Sequence, residues 1–146
     1  MSIDDDVALL ERVPTLRLLG NTALRMLAIG SEQRDFNQGD VLFHVGDDAD
    51  AGYIVQRGAF RVEEGGAELI AGPGSLIGEL ALVVAMKRPS TAIALDNSSV
   101  IRIPRSLFAR VLESDPAAAR RLRDEFATRT SQIASDILMA GAKLST

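Results

Sequence analysis

This 146-residue chain has no cysteine and no tryptophan, a single histidine and a single tyrosine. Without thiols there is no disulfide framework, zinc-thiolate site, iron–sulfur cluster or thiol nucleophile. One histidine leaves a Ser-His-Asp triad arithmetically open, but no Gly-x-Ser-x-Gly elbow accompanies it. His44 sits inside Val-Leu-Phe-His-Val, where it reads as a surface strand residue sharing a face with Leu42, with Val41, Phe43 and Val45 on the other. Asp47 to Ala51 lacks the closing glutamate of a calcium loop and reads as a solvated turn, so no metal is expected. No Gly-x-Gly-x-x-Gly and no P-loop is present, so no catalytic residue is assigned. A basic excess is also missing: 16 Lys+Arg against 20 Asp+Glu give a net charge of −4, which speaks against direct nucleic-acid binding. The local exception, Arg120, Arg121 and Arg123, is followed at once by Asp124 and Glu125 and reads as a solvated helix surface. The longest apolar run, Leu80 to Met86, is far below the ~18 residues of a membrane span. The opening Met-Ser-Ile-Asp-Asp-Asp is acidic, unlike a secretion signal, and a cytoplasmic location is expected.

What is present is an ordinary globular composition, 47% hydrophobic and 25% charged, at a length suited to one domain, since chains usually split only beyond ~250 residues. Three zones differ in period. Residues 1–33 read as a helical lead-in. Asp4 to Asp6 favour a helix start, Val7, Leu10 and Val13 form a stripe before Pro14 stops it, and Asn21 caps a second helix that ends at Gly30. Residues 34–103 read as short strands between turns, with Gly65-Gly66 the strongest hairpin signal and Gly72-Pro73-Gly74 another turn. Residues 104–146 return to helix. Pro104 suits the first turn of a helix carrying Leu107, Phe108 and Val111, and Asp115-Pro116 restarts a long one with Leu122, Phe126, Ile133, Ile137 and Ala140 on its stripe. About 25 helical residues would span roughly 38 Å, enough to pack along the roll or against a twin helix. The expected fold is mainly β: an antiparallel β-roll, or double-stranded jelly roll, with N-terminal helices and a long C-terminal helix.

One segment breaks the strand pattern, Gly78 to Ala94. It opens on Gly-Glu and an apolar turn, which reads as a short helix begun at a bend. Gly78 permits close approach of backbone to a ligand, and a helix start offers N–H groups to an anion. Ten residues on, Arg88 offers a planar fork of donors suited to phosphate oxygens, with Ser90 and Thr91 just behind. Glu79 beside phosphate would repel it, but it makes sense accepting a hydrogen bond from a sugar hydroxyl. Phosphate and ribose hydroxyl together describe a nucleotide.

Gly78-Glu79-Leu80 followed at this distance by Arg88-Pro89-Ser90-Thr91 resembles the phosphate-binding cassette of the cyclic nucleotide-binding domain found in catabolite-activator-type regulators, cyclic-nucleotide-gated channels and kinase regulatory subunits. The resemblance covers nearly the whole chain, with the cassette at 78–91. It implies that Arg88 pairs with the cyclic phosphate of cAMP or cGMP and that Glu79 binds the ribose 2′-hydroxyl. Backbone N–H groups near Gly78 to Leu80 would contribute, and Ser90 and Thr91 would lie close to phosphate or base. It further implies a lid from the C-terminal helix, with Arg123, Phe126, Arg129 and Thr130 the candidates for touching the base. In the family the residue after the arginine usually donates its N–H to phosphate; here it is Pro89, which has none. One hydrogen bond fewer to a charged oxygen lowers affinity by about ten- to hundredfold.

The function expected on this basis is a non-catalytic sensor that transmits ligand state through its C-terminal helix. Two other readings are set beside it: the sensory part of a transcription regulator acting with a separate DNA-binding partner, and an interaction module with a degenerate pocket. Leu122, Phe126, Ile133 and Ile137 would carry a homodimer.

Overall fold

The structure is a computed structural model that describes residues 2–125, 127 and 128. Three short helices come first: α1 (Ile3–Glu11), α2 (Pro14–Arg17) and α3 (Asn21–Gly30). Ser2 starts α1 through a capping box, its hydroxyl accepting from the Asp5 N–H at 3.1 Å while Asp5 accepts from the Ser2 N–H. Two expectations are corrected here. Pro14 does not merely stop a helix but occupies the first position of α2, where its missing N–H costs nothing. Asn21 is the first residue of α3 rather than its cap; Gly20 is the cap, at φ 86°.

The strands follow as β1 (Glu32–Phe36), β2 (Val41–Phe43), β3 (Asp48–Ala49), β4 (Ala51–Arg57), β5 (Phe60–Glu64), β6 (Ala67–Ala71) and β7 (Leu76–Ile77). After one turn of 3-10 helix over Glu79–Leu82 come β8 (Met86–Lys87), β9 (Thr91–Ala94) and β10 (Ser98–Pro104), then α4 (Arg105–Ser114) and a further helix, α5, over 116–125. All pairings are antiparallel. One four-stranded sheet runs β1-β10-β4-β7, a second runs β2-β9-β5-β6, and β3 pairs with β8. This is the expected β-roll with flanking helices.

Two cores explain the sequence pattern. Between the sheets lie Phe43, Tyr53, Val55, Phe60, Ile77, Ala92 and Val100. On the outer face of the first sheet, Ile54, Ile101 and Ile103 meet the helices through Leu10, Leu16, Leu24, Leu27, Leu107 and Phe108. Strands β4 and β10 are therefore buried on both faces and read as near-continuous apolar runs rather than alternations.

Further local readings change. β1 begins at Glu32, inside the stretch read as helical lead-in, and is mostly exposed, so no apolar period announces it. His44 is exposed but stands just past the end of β2, its N–H donating to Asp47 Oδ2 at 2.9 Å in a side-chain-closed turn. A register shift between Val41 and Phe43 breaks the alternation, leaving Phe43 buried and Val45 exposed. Asp48 and Ala49, read as turn, pair with Lys87 and Met86, and Lys87 bonds Asp48. The Gly65-Gly66 hairpin forms as expected, both residues at positive φ, 58° and 85°. Pro104 ends β10 and is the N-cap of α4, just ahead of its first turn. Asp115 caps α5, its Oδ1 accepting from the Ala118 N–H at 3.1 Å. Phe126, Arg129, Thr130, Ile133, Ile137 and Ala140, expected on the long C-terminal helix, lie outside the described residues.

Candidate functional site

The segment after β7 turns sharply at Gly78, which takes a left-handed conformation at φ 77° and caps the 3-10 turn. A side chain at Gly78 is disfavoured twice: by that φ, and by space, since a Cβ would stand 2.5 Å from Arg88 Nη1, which would have to move. Ala81 and Leu82 anchor the turn in the core, whereas Leu80, Val83 and Val84 remain exposed. Arg105, the first residue of α4, holds the turn from behind. Its Nη1 donates to the carbonyls of Ala49 (2.8 Å), Ala81 (3.2 Å) and Val84 (3.0 Å).

Arg88 is brought to the same place by its backbone. Its N–H donates to the Asp47 carbonyl at 2.7 Å and its carbonyl accepts from the Gly46 N–H at 2.8 Å, fixing it against the turn that follows β2. The side chain is only 3% exposed. Nη2 donates to the Ala51 carbonyl at 2.8 Å, and the guanidinium carbon lies 4.3 Å from the centroid of Phe43 and 5.4 Å from that of Tyr53. Its Nε is buried and has no hydrogen-bond partner among the described residues. Burial pushes the guanidinium pKa down from its ordinary value, Tyr53, Asp50 and Asp47 draw it back up, and Arg102 lowers it. An arginine keeps its proton through such a shift, so the result is a held cation with an unfilled donor.

A cavity of about 460 Å³ adjoins it. Gly78, Glu79, Leu80, Arg88 and Ser90 line one side, and Val62, Leu69 and Ile70 of the β5–β6 hairpin line another. Glu79 is half-buried, and its Oε1 accepts from the Thr15 hydroxyl at 2.6 Å. Ser90 is 6% exposed, beside Pro89. A cation with an unsatisfied donor, a carboxylate and an apolar wall around one space suit a ligand with an anionic end, a hydroxyl-bearing middle and a flat apolar part.

Five of the residues singled out from sequence, Gly78, Glu79, Leu80, Arg88 and Ser90, thus share one cavity. Thr91 does not line it: its Oγ1 accepts from the Val45 N–H at 2.9 Å and braces the turn after β2, against which Arg88 is fixed. Arg123 is exposed on α5 and lines a separate groove with Leu112, Glu113 and Arg120. Four participants were missed: Thr15, Phe43, Tyr53 and the Ala51 carbonyl. Phe43 and Tyr53 carry a readable signal, being aromatic residues of strand segments; the carbonyl and the distant threonine carry none. A second, more open groove of about 780 Å³ lies along α4, but Arg102 there is paired with Asp50 and Arg105 with backbone carbonyls.

Comparison with known proteins identifies the family of the fold. The family model described as the cyclic nucleotide-binding domain matches residues 33–115, more than half of the chain. The chain is similar to a solved cyclic nucleotide-binding-like protein from Brucella abortus bv. 1 str. 9-941, at 36% identity and a TM-score of 0.67, over 75% of this chain and 98% of that one. It is also similar to the N-terminal domain of a transcriptional regulator from Streptomyces coelicolor A3(2), at 27% identity and a TM-score of 0.77, over 86% of this chain and 94% of that one. Among curated proteins, a lysophospholipase NTE1 of Pyricularia oryzae is 31% identical over 106 residues, covering 68% of this chain. The chain spans only 7% of that relative's length.

Proposed function

The chain belongs to the cyclic nucleotide-binding domain family, and from that premise we propose that it is a non-catalytic sensor of a 3′,5′-cyclic nucleotide, cAMP or cGMP. Arg88 takes the cyclic phosphate, with the backbone around Gly78 and Leu80 and the Ser90 side of the loop closing on it. Glu79 accepts the ribose 2′-hydroxyl, and the base lies toward Val62 and Leu69. Thr91 supports the loop rather than touching ligand. The observation that carries this reading is the buried Arg88 guanidinium, with its unsatisfied Nε, in the wall of a cavity that also holds Glu79.

Arg105 supports a route for the signal, since one side chain joins the first residue of α4 to the 3-10 turn and to its exit. Ligand can shift the C-terminal helices only through different affinity for their two arrangements. The proposal extends to a cytoplasmic, effector-coupled module that pairs as a homodimer through its C-terminal helix. Among the described residues no helix is long and apolar enough to cross a membrane. The likeness to the Streptomyces coelicolor regulator domain, which extends over nearly all of that chain, favours a second reading as the sensory part of a transcription regulator, with DNA contact left to a partner.

Titration calorimetry tests the site. Cyclic AMP or cyclic GMP is expected to bind the wild-type chain, 5′-AMP and 5′-GMP much more weakly, and Arg88→Ala to lower cyclic-nucleotide affinity about a hundredfold, as befits loss of charge-assisted bonds to phosphate. Absence of binding at millimolar nucleotide, or binding indifferent to Arg88→Ala, overturns the reading.

A further inference from the structure

The hydrogen bond between Thr15 and Glu79 crosses 64 positions of sequence and two layers of the fold. At 2.6 Å, from a hydroxyl to a carboxylate, it has the length of a charge-assisted bond. Its donor is 4% exposed, and the backbone that carries it is held on several sides. Pro14 fixes the first φ of α2, and Leu16, fully buried, sits in the helical core. Arg121 of α5 donates from Nε to the Leu18 carbonyl at 2.7 Å and from Nη2 to the Leu19 carbonyl at 3.3 Å, tying down the far end of α2. Arg12, two residues before α2, donates to the Pro73 carbonyl at 3.2 Å, in the turn that leads into β7. The hydroxyl is therefore presented from a rigid support.

Glu79 stands on a single four-residue turn, half-buried, on a side chain with three rotatable bonds. A carboxylate must be held to within about half an ångström to select one hydroxyl of a ligand. A carboxylate has about four acceptor positions, and the Thr15 bond occupies one of them. Such a bond favours one direction of the carboxylate.

Resting on the cyclic-nucleotide reading of this cavity, we propose that Thr15 is a positioning residue for Glu79, so that the N-terminal helices take part in recognising the ribose 2′-hydroxyl. Binding of the sugar and docking of α2 on the cassette turn then favour each other, because both depend on one orientation of one carboxylate. Linkage makes the dependence reciprocal.

The test compares wild type, Thr15→Val and Thr15→Ser by calorimetry, using whichever of cyclic AMP or cyclic GMP binds more tightly and its 2′-deoxy counterpart. Valine keeps the shape of threonine and removes the donor; serine keeps the donor. Wild type is expected to prefer the ribonucleotide about tenfold or more. Thr15→Val is expected to reduce that preference to within about twofold while leaving the deoxynucleotide affinity nearly unchanged, and Thr15→Ser to retain it. A Thr15→Val protein that weakens both ligands equally shows a merely structural threonine and overturns the proposal, as does an unchanged or enlarged preference. Should the valine variant fail to fold, Thr15→Ala is read on the same ratio. Wild-type binding with no preference for the ribonucleotide overturns the sugar role of Glu79 but not the nucleotide reading. No binding of either ligand by wild type overturns that reading itself.

Discussion

A guanidinium that is 3% exposed and, among the described residues, touches no carboxylate through a hydrogen bond needs compensation from its surroundings, because a buried charge is tolerated only when solvated by dipoles, rings or a counter-ion. Arg88 has two aromatic faces and one carbonyl, and these leave its Nε unbonded. On the proposed reading, a bound phosphodiester would be the counter-ion of this guanidinium. Gly78 belongs to the same arrangement, since only the absence of a Cβ lets Nη1 come so close to the turn. In Gly78→Ala the obstructing atom is the end of a flexible side chain, so the guanidinium moves rather than the backbone. Stability should then fall by only about 1 kcal/mol from the positive φ, while cyclic-nucleotide affinity falls more than about tenfold. Thermal melting and titration of the same sample check both; full affinity in Gly78→Ala contradicts this role for the turn. At this scale Gly78, Glu79 and Arg88 were legible because their types and spacing are local. The Ala51 carbonyl and Thr15 were not, because a backbone acceptor has no side-chain signature and a threonine 64 residues away is chosen by tertiary packing alone.

Among elements, the 3-10 turn and α4 are joined by Arg105 rather than by apolar packing alone. Three carbonyls share one guanidinium nitrogen, and two of them, from Ala81 and Val84, belong to the turn and its exit. Arg105→Met keeps the aliphatic stem and removes the donors. It is expected to cost about 2 kcal/mol and to lower the melting temperature by roughly 4–8 °C. Amide hydrogen exchange should quicken across 79–84 more than across β4 or β10. Exchange that quickens evenly over the chain, or a stability equal to wild type, contradicts a specific clamp. The elements themselves were unevenly legible. Strands β5 and β6 announce themselves through the glycine pair between them, and β4 and β10 through apolar runs. β1, with Glu32, Gln33, Arg34 and Asp35 all exposed, owes its strand state to pairing with β10 at the sheet edge. The two-residue strands β3 and β8 exist only because the chain around Arg88 is folded back on them.

For the molecule as a whole, the first sheet is a shared wall, with helices on its outer side and the core of the roll on its inner side. The cassette turn sits where both meet, with Leu82 in the helical core and Ile77 in the roll. On the proposed reading, a ligand in the cavity would act on both layers, through Glu79 to α2 and through the turn to α4. The roll was legible from its many turns and short strands, whereas the pairing of β1 with β10 and of β4 with β7 was not, since local period carries no information on partners far along the chain. The most direct measurement of the central claim follows the Nε–Hε resonance of Arg88 in the intact 15N-labelled chain, assigned by its loss in Arg88→Lys, during titration with cyclic AMP and cyclic GMP. The account predicts that this resonance shifts in step with saturation by the bound cyclic nucleotide. Nucleotide that binds to saturation and leaves the Arg88 resonance where it was contradicts it.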